Sequence, residues 1–428
     1  LVGYGRIEPT DGVPPNGLAI FSYRPNNILV TEATVPATAA LSAGRIYAEI
    51  STSVNTGIAI ANPNDQTVNI TFYFTGATGA AGTGSMTVPA NGQIAAFLDQ
   101  APFNSAKPLT GSFTFSSSVP VAVTALRGRT NERGDFLITT LPVTDLSDTA
   151  TASPVVFPHY ADGGGWATQL ALVNPGDSVI SGSLQFVNDQ GAVTLTVGYT
   201  IPARGAQTVK TPGTGTTIQK GSVRVLPSSG STAPGGVAIF SFRPNGITVS
   251  EAGVAAATTG SAFQVYVESA GDFNGGTAGS MQSGIAIANL SNSAATVNVE
   301  VRALDGTSIG SSTITVPANG QSASFLNQIP GLTLPQTFQC TLRIVSDSPI
   351  SLIGLRSRYN ERGDFLTTTT PPINEAVAPP AGALFFPHFA EAGGYSTQFI
   401  LFNTSAATAS GGLRLILQSG APAALPLQ

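Results

Sequence analysis

Two tripeptides and two histidines carry most of the chemistry that this sequence offers. Arg133-Gly134-Asp135 and Arg362-Gly363-Asp364 each spell Arg-Gly-Asp, an integrin ligand, so one reading is adhesion. The other reading is structural. The matching place elsewhere in the chain is the short turn Arg243–Val249, and a glycine supplying positive φ suits the tip of a longer hairpin. His159 and His388 stand in matching contexts, with Asp162 and Glu391 three residues further on. One imidazole and one carboxylate are too few ligands for zinc. That leaves a pH-sensitive joint or a hydrogen-bonded histidine at a domain junction. Arg127 with Arg129, and Arg356 with Arg358, are spaced to share one strand face, and Glu132 and Glu361 stand nearby. Charges packed at a domain edge fit this pattern better than a catalytic dyad. Asn69, Asn289 and Asn403 head Asn-x-Ser/Thr sequons and are candidate glycan acceptors. Cys340, in FQCTLRI, reads as a buried, inert thiol. Gly163–Gly165 precedes a strand, not a helix, so it makes no phosphate cradle. No G-x-S-x-G elbow, P-loop or EF-hand loop occurs. The expectation is therefore a non-enzyme, with no catalytic residues, no cofactor and no metal.

Composition narrows the classes further. The 428 residues include 18 Lys+Arg and 23 Asp+Glu, for a net charge of −5. Only 10% are charged, well below the roughly 25% of ordinary soluble domains. A single cysteine and two histidines exclude a disulfide scaffold and a Cys/His zinc module. A net negative charge argues against a nucleic-acid partner. At 42% hydrophobic residues the chain is not disordered. No apolar run approaches the ~20 residues of a membrane helix, so no membrane span is expected. The chain opens without Met and without a signal-like leader, as would a mature secreted protein or a window of a longer one. A Gly/Thr/Ser/Ala-rich composition poor in charge suits an extracellular or cell-surface location.

Internal repetition is the strongest feature. GIAIAN, VPANGQ, NERGDFL, FPHYADGGGWATQ and LAIFSYRPN recur, some with conservative changes, 227, 228, 229, 229 and 219 residues later. Each long unit divides again into two related domains of about 110 residues. Type a covers 38–146 and 259–375, and type b covers 150–258. A second type b is split, with its front half at 381–428 and its back half at 1–37. Laid on the intact copy, the split domain lacks a counterpart of Thr200–Gln219. Ala/Pro/Thr-rich linkers join the units, stiffened by proline.

Side chains alternate at period two. In TVNITFYF, Val68, Ile70, Phe72 and Phe74 oppose Asn69, Thr71 and Tyr73, which means a strand with one buried face. Turn signals arrive every 8–12 residues, as sandwiches require. The fold class expected is all-β: a tandem array of immunoglobulin-like β-sandwiches of two alternating types, seven or eight strands each, almost without helix. Three segments break the alternation. AIFSY (Ala19–Tyr23), AIFSF (Ala238–Phe242) and ISLIGL (Ile350–Leu355) are apolar on both faces. Their outer faces are covered either by a loop or by a neighbouring domain or subunit. Phe21, Tyr23, Phe240 and Phe242, with His159 and His388, are the candidate interface residues.

The motifs R-x-N-E-R-G-D-F-L, F-P-H-[YF]-A and A-I-F-S-[YF]-R-P-N resemble the tandem immunoglobulin-like repeats of large secreted or surface proteins of environmental bacteria. The resemblance spans essentially the whole chain and implies an extracellular scaffold or adhesive role, with no established activity. The antibody-type cysteine pair and core tryptophan are missing. A half sandwich exposes apolar faces and open strand edges. Three completions of 381–428 follow: a longer chain, residues 1–37 of a neighbouring copy giving a head-to-tail filament, or closure within one chain. The leading expectation is a structural protein of an extracellular filament or surface layer that self-associates head to tail. The alternative is an adhesin or carbohydrate-binding stalk, with glycans or a cell surface as partner.

Overall fold

Alternating apolar and polar side chains become strands along nearly the whole molecule. The computed structural model describes residues 1–428 except 12–13, 258, 379–381, 405–407 and 426–428. β1 (Val2–Asp11), β2 (Asn16–Tyr23) and β3 (Thr31–Pro36) open the chain. The first type a unit contains β4 (Leu41–Ile50), β5 (Val54–Ala61), β6 (Val68–Gly76), β7 (Gly79–Val88), β8 (Gln93–Phe97), β9 (Leu109–Thr130), β10 (Phe136–Leu141) and β11 (Thr144–Asp145). The intact type b unit contains β12 (Val155–Asp162), β13 (Trp166–Val173), β14 (Ile180–Asn188), β15 (Val193–Ile201), β16 (Ala206–Lys210), β17 (Gln219–Pro227), β18 (Gly235–Phe242) and β19 (Ser250–Ala255). The second type a unit contains β20 (Gly260–Ala270), β21 (Met281–Asn289), β22 (Ala295–Ala303), β23 (Ser308–Val316), β24 (Gln321–Phe325), β25 (Phe338–Tyr359), β26 (Phe365–Thr370) and β27 (Ile373–Asn374). β28 (Leu384–Ala390), β29 (Tyr395–Phe402) and β30 (Ser410–Leu417) end the described strands. Among the described residues, helix is limited to three single 3-10 turns, and no helix is long and apolar enough to cross a membrane.

Each intact unit is a two-sheet sandwich. In type b, the sheets are β12-β17-β14-β15 and β16-β13-β18-β19. In type a, one 22-residue strand does the work of two. The first half of β9 pairs with β4 and β6, and the second half with β5 and β10. It bends near Val119-Pro120, where proline removes a ladder donor. β25 repeats this arrangement.

The split sandwich is completed from within the chain. β1 lies between β28 and β30, and β2 pairs with β29 from Asn16↔Phe402 to Tyr23↔Tyr395. Completion by a neighbouring copy, on which the head-to-tail expectation rested, gives way to closure in cis. The reason is physical: a partner tethered at high effective concentration avoids the translational and rotational cost of recruiting a second molecule.

Closure makes a cycle of four sandwiches, with apolar contacts at every junction. Leu18 and Ile20 meet Tyr266, while Val237 and Ile239 join the core around Ile46 and Ile58. Ile353 packs with Phe240 and Leu170. The doubly apolar strands are therefore covered on their outer faces by neighbouring domains. The residues chosen for that role differ from the expectation. Phe21 and Phe240 lie in the cores of the type b sandwiches, and the aliphatic neighbours Ile20 and Ile239 face outward. Tyr23 stacks on Tyr395 of its own sandwich at 4.3 Å. Phe242 stacks on Trp166 at 4.6 Å and also meets Phe365 of the next unit at 5.9 Å.

Removing residues 1–37 tests the closure. Amide-exchange protection over 384–417 is expected to vanish while that of β12–β19 persists, because only the last sandwich loses its central strands. Unchanged protection there would refute closure in cis.

Candidate functional site

Strands β3, β10, β19 and β26, one from each sandwich, meet at the centre of the cycle. Small hydroxyl residues let their backbones approach. Thr31 Oγ1 donates to Ile138 O and accepts from Ile138 N, both at 3.1 Å. Ser250 repeats this with Thr367 at 3.1 and 2.8 Å. Thr140 and Thr369 donate to Thr34 O and Gly253 O, each at 2.8 Å.

Two charge clusters flank this hub, and they are built from the paired arginines. Glu251 of β19 reaches into the first type a sandwich, where Arg127 Nε lies 3.1 Å and Arg129 Nη1 3.4 Å from its carboxylate. Arg127 also holds Glu49 at 2.6 Å. In the other half, Glu32 of β3 meets Arg356 and, at 3.4 Å, Arg358, while Arg356 also binds Glu268. Arg127, Glu251, Arg356 and Glu32 are all buried. Burial opposes the charge on Arg127 and Arg356, but the flanking glutamates outweigh it and push both guanidinium pKa values up. Tyr47 and Tyr266, desolvated beside Glu49 and Glu268, have their pKa values raised and stay neutral.

The Arg-Gly-Asp tripeptides face each other. Arg133 bonds Asp364 at 2.6 and 3.2 Å, and Arg362 bonds Asp135 at 2.8 Å, a reciprocal exchange between the two halves of the chain. Burial opposes the charge of Asp135, yet hydrogen bonds and charge from Arg362, Asn131 and Arg133 hold its pKa below the usual value. Gly134 and Gly363 take φ of 83° and 76° at the turn tips. The loop is fixed by Asn131, whose Oδ1 accepts from the backbone N of Arg133 and Asp135 at 2.9 and 2.8 Å. Asn360 does the same for Arg362 and Asp364. Glu132 and Glu361 then accept the backbone N–H of Thr248 and Leu29 from the adjoining type b turns. The grip of Asn131, Glu132, Asn360 and Glu361 on those turns was not anticipated. The signal was present, since NERGD is repeated entire.

His159 and His388 sit at the other two junctions. Gln321 Nε2 lies 2.7 Å from His159 Nδ1 and also donates to Pro158 O. Gln93 Nε2 lies 3.2 Å from His388 Nδ1 and donates to Gly3 O and Pro387 O. The amide NH2 group can only donate, so each Nδ1 accepts and the ring proton sits on Nε2. Burial pushes both pKa values down to about 4, with Lys220 adding to the effect at His159. Gln93 and Gln321 also escaped the sequence reading, although VPANGQ is repeated. Asp162 is turned to the backbone N of Gly213. Among the described residues, no group of three or more His, Cys, Asp and Glu is placed to hold a metal ion. Cys340 is buried, which raises its thiol pKa.

The three sequons part company. Asn69 and Asn403 are exposed. Asn289 is fully buried, and its Nδ2 donates to Ser293 O, Val316 O and Pro317 O, so it has no room for a glycan. Asn62 and Asn174 make the equivalent contacts. All three close a turn by tying a strand end to the following hairpin.

No known family matches the chain, and no curated protein matches it. Among solved structures it is similar to the Anabaena sensory rhodopsin transducer, at 16% identity over 22% of this chain and 95% of that one, with a TM-score of 0.19. It is also similar to Thermotoga maritima 1070, at 10% identity over 27% and 96% with a TM-score of 0.22. A tetra-tandem repeat from the extending region of a large adhesion protein matches at 13% identity over 86% and 94%, with a TM-score of 0.12. At these scores none of the three bears on function.

Two predictions follow from the charges. Arg356→Met removes the guanidinium that bridges buried Glu32 and Glu268, leaving Glu32 with Arg358 and Glu268 with the Tyr266 hydroxyl, and is expected to cost about 3 kcal/mol in chemical denaturation. Arg414→Met, which breaks an exposed pair with Glu8, is expected to cost at most about 1 kcal/mol. Equal costs would refute the assigned role of Arg356. The histidines bind protons more weakly folded than unfolded, so their stabilisation is complete above about pH 6.5 and drains away towards pH 4. The His159→Gln/His388→Gln double variant is expected to show a flatter melting-temperature profile between those limits; an unchanged slope would refute it.

Proposed function

We propose that this chain is a non-enzymatic structural protein of an extracellular filament or surface layer, serving there as a rigid four-sandwich module. The observation that supports this reading is where the chemistry-bearing side chains go. The paired arginines, their glutamates, both Arg-Gly-Asp tripeptides and both histidines are spent on contacts between the four sandwiches. Such contacts build stiffness rather than a reaction centre. The low charge and the tandem β architecture suit a surface protein in the same way. Strand exchange between copies is not part of the proposal, because the last sandwich is closed in cis.

A second reading, glycan binding by an adhesin, is favoured by one feature. Two related apolar clefts of about 610 and 430 Å³ lie beside His388 and His159, lined respectively by Phe97 and Phe136 and by Trp166 and Phe365. Aromatic faces of this kind suit the apolar face of a sugar ring.

Cell fractionation of the native source tests the first reading. The protein is expected in the sheared surface or extracellular fraction, and recovery only from the cytosol would overturn it. A glycan array decides the second: saturable binding lost in Trp166→Ala supports an adhesin, and a blank array removes it. Asp135→Glu/Asp364→Glu is expected to leave cell adherence unchanged, because both aspartates are engaged within the molecule; lost adherence would restore the integrin-type reading.

A further inference from the structure

A cleft of about 430 Å³ lies between the intact type b sandwich and the second type a sandwich, at the junction that His159 shares with Gln321. Its volume falls within the roughly 300–1,000 Å³ of ordinary small-molecule sites. The type b sandwich supplies Trp166 and Phe242, and the type a sandwich supplies Phe325, Tyr359 and Phe365. All five rings stay partly exposed. Trp166 meets Phe365 at 6.2 Å and Phe365 meets Tyr359 at 5.5 Å, so the wall runs across the junction.

One segment props this wall from behind. The connection between β20 and β21 runs over 271–280, whereas the matching connection in the first type a unit runs over 51–53. The longer segment carries Phe273, which is buried against Phe325 at 5.0 Å and Tyr359 at 5.3 Å. That support belongs to this junction and is not inherited from the repeat.

Two groups at the cleft can hold an anion. His159 is neutral, its Nδ1 faces the Gln321 amide, and its Nε2–H goes to no hydrogen-bond partner among the described residues. Lys220 also lines the cleft and enters no ion pair among the described residues. It lies near enough to help push the His159 pKa down. The strand itself does not need a cation there. Val2 holds the equivalent place in the other type b sandwich, opposite Ala390 as Lys220 is opposite Ala161. An ammonium and a neutral N–H beside an aromatic wall are complementary to a carboxylate carried on a ring.

We propose that this cleft binds a small monocarboxylate with an aromatic or alicyclic body. The ring lies among Trp166, Phe242 and Phe365, and the carboxylate accepts from Lys220 Nζ and His159 Nε2. Burial of the ring supplies most of the affinity, and the ion pair supplies selectivity for the acid over its neutral analogues. The inference goes beyond the glycan reading of the same cleft. A sugar presents hydroxyls around its rim, whereas this lining is mostly carbon, with Ile285 and Leu355 beside the rings. It does not depend on the extracellular assignment.

The full chain carries its own probe, because Trp166 is its single tryptophan. Titration with hydrocinnamate is expected to shift Trp166 emission saturably, and the neutral hydrocinnamamide is expected to bind at least about tenfold more weakly. Lys220→Met is expected to weaken hydrocinnamate binding about tenfold while leaving amide binding and the melting temperature unchanged, and Lys220→Arg is expected to keep the acid bound. No saturable shift up to about 10 mM, equal binding of acid and amide, or undiminished affinity in Lys220→Met overturns the proposal. A shift with glucose or galactose but not with hydrocinnamate also overturns it, and returns the cleft to the glycan reading.

Discussion

The architecture depends on the pairing of the first strands of the chain with the last. β1 is the central strand of its sheet, and among the described strands it is the one that joins β28 to β30. The side chains agree with the ladder: Ile7, Phe386, Phe389 and Leu415 share one core, drawn from both ends of the sequence. Burying each such side chain contributes roughly 1.5–3 kcal/mol, and the closure places β3 where it can meet β10 and β26. Without that pairing the outer face of Ile20 would lose Tyr266, as the outer face of Ile239 would lose its cover if the adjoining type a sandwich with Ile46 and Ile58 were removed. In the closed cycle those faces become domain interfaces, and the apolar strands that break the alternation find their explanation.

Charge then decides how the four sandwiches register. Apolar junctions tolerate sliding, but Glu251 and Glu32, carried into neighbouring domains, are buried and must end on guanidinium groups. Such pairs contribute little net stability against an apolar alternative, yet a misplaced partner is costly. Their value here lies in geometry. The Arg133–Asp364 and Arg362–Asp135 exchange acts in the same way at a more exposed place, where its energy is small. What it specifies is which hairpin faces which. The two halves of the chain repeat each other closely, and a pair of cross-connections ties each half to the other.

Much of this was legible in the residues. Period-two patterns such as Val68–Phe74 gave the strands, and the spaced repeats gave the units and their order. The complementarity of 1–37 with 381–428 followed from alignment alone. Whether the two halves met in one molecule did not, because strand pairing is written in local patterns that are identical in cis and in trans. AIFSY and AIFSF are apolar on both faces, and that pattern alone points to Phe21 and Phe240 as interface residues. Period two then cannot tell inward from outward, and size was a poor guide: the large rings filled the sandwich cores while smaller aliphatics met the neighbours. Asn69 and Asn289 carry the same sequon, but Asn289 ends its strand at a hairpin whose carbonyls need a donor.

The repeat itself is the sharpest instrument for reading this molecule, because each site exists twice under different conditions. Where both copies agree, as with Gln93 and Gln321 against their histidines, the geometry belongs to the fold rather than to chance. Where they differ, the difference shows what each neighbour contributes. Leu172 and Leu401 occupy the same place in the repeat, but among the described residues the closed copy has no strand matching β15 or β16, and Leu172 is 0% exposed where Leu401 is 41%. Leu172 shares its core with Tyr199 and Ile201 of β15, so the contrast shows that a type b core is closed by the opposite sheet as much as by the edge strand.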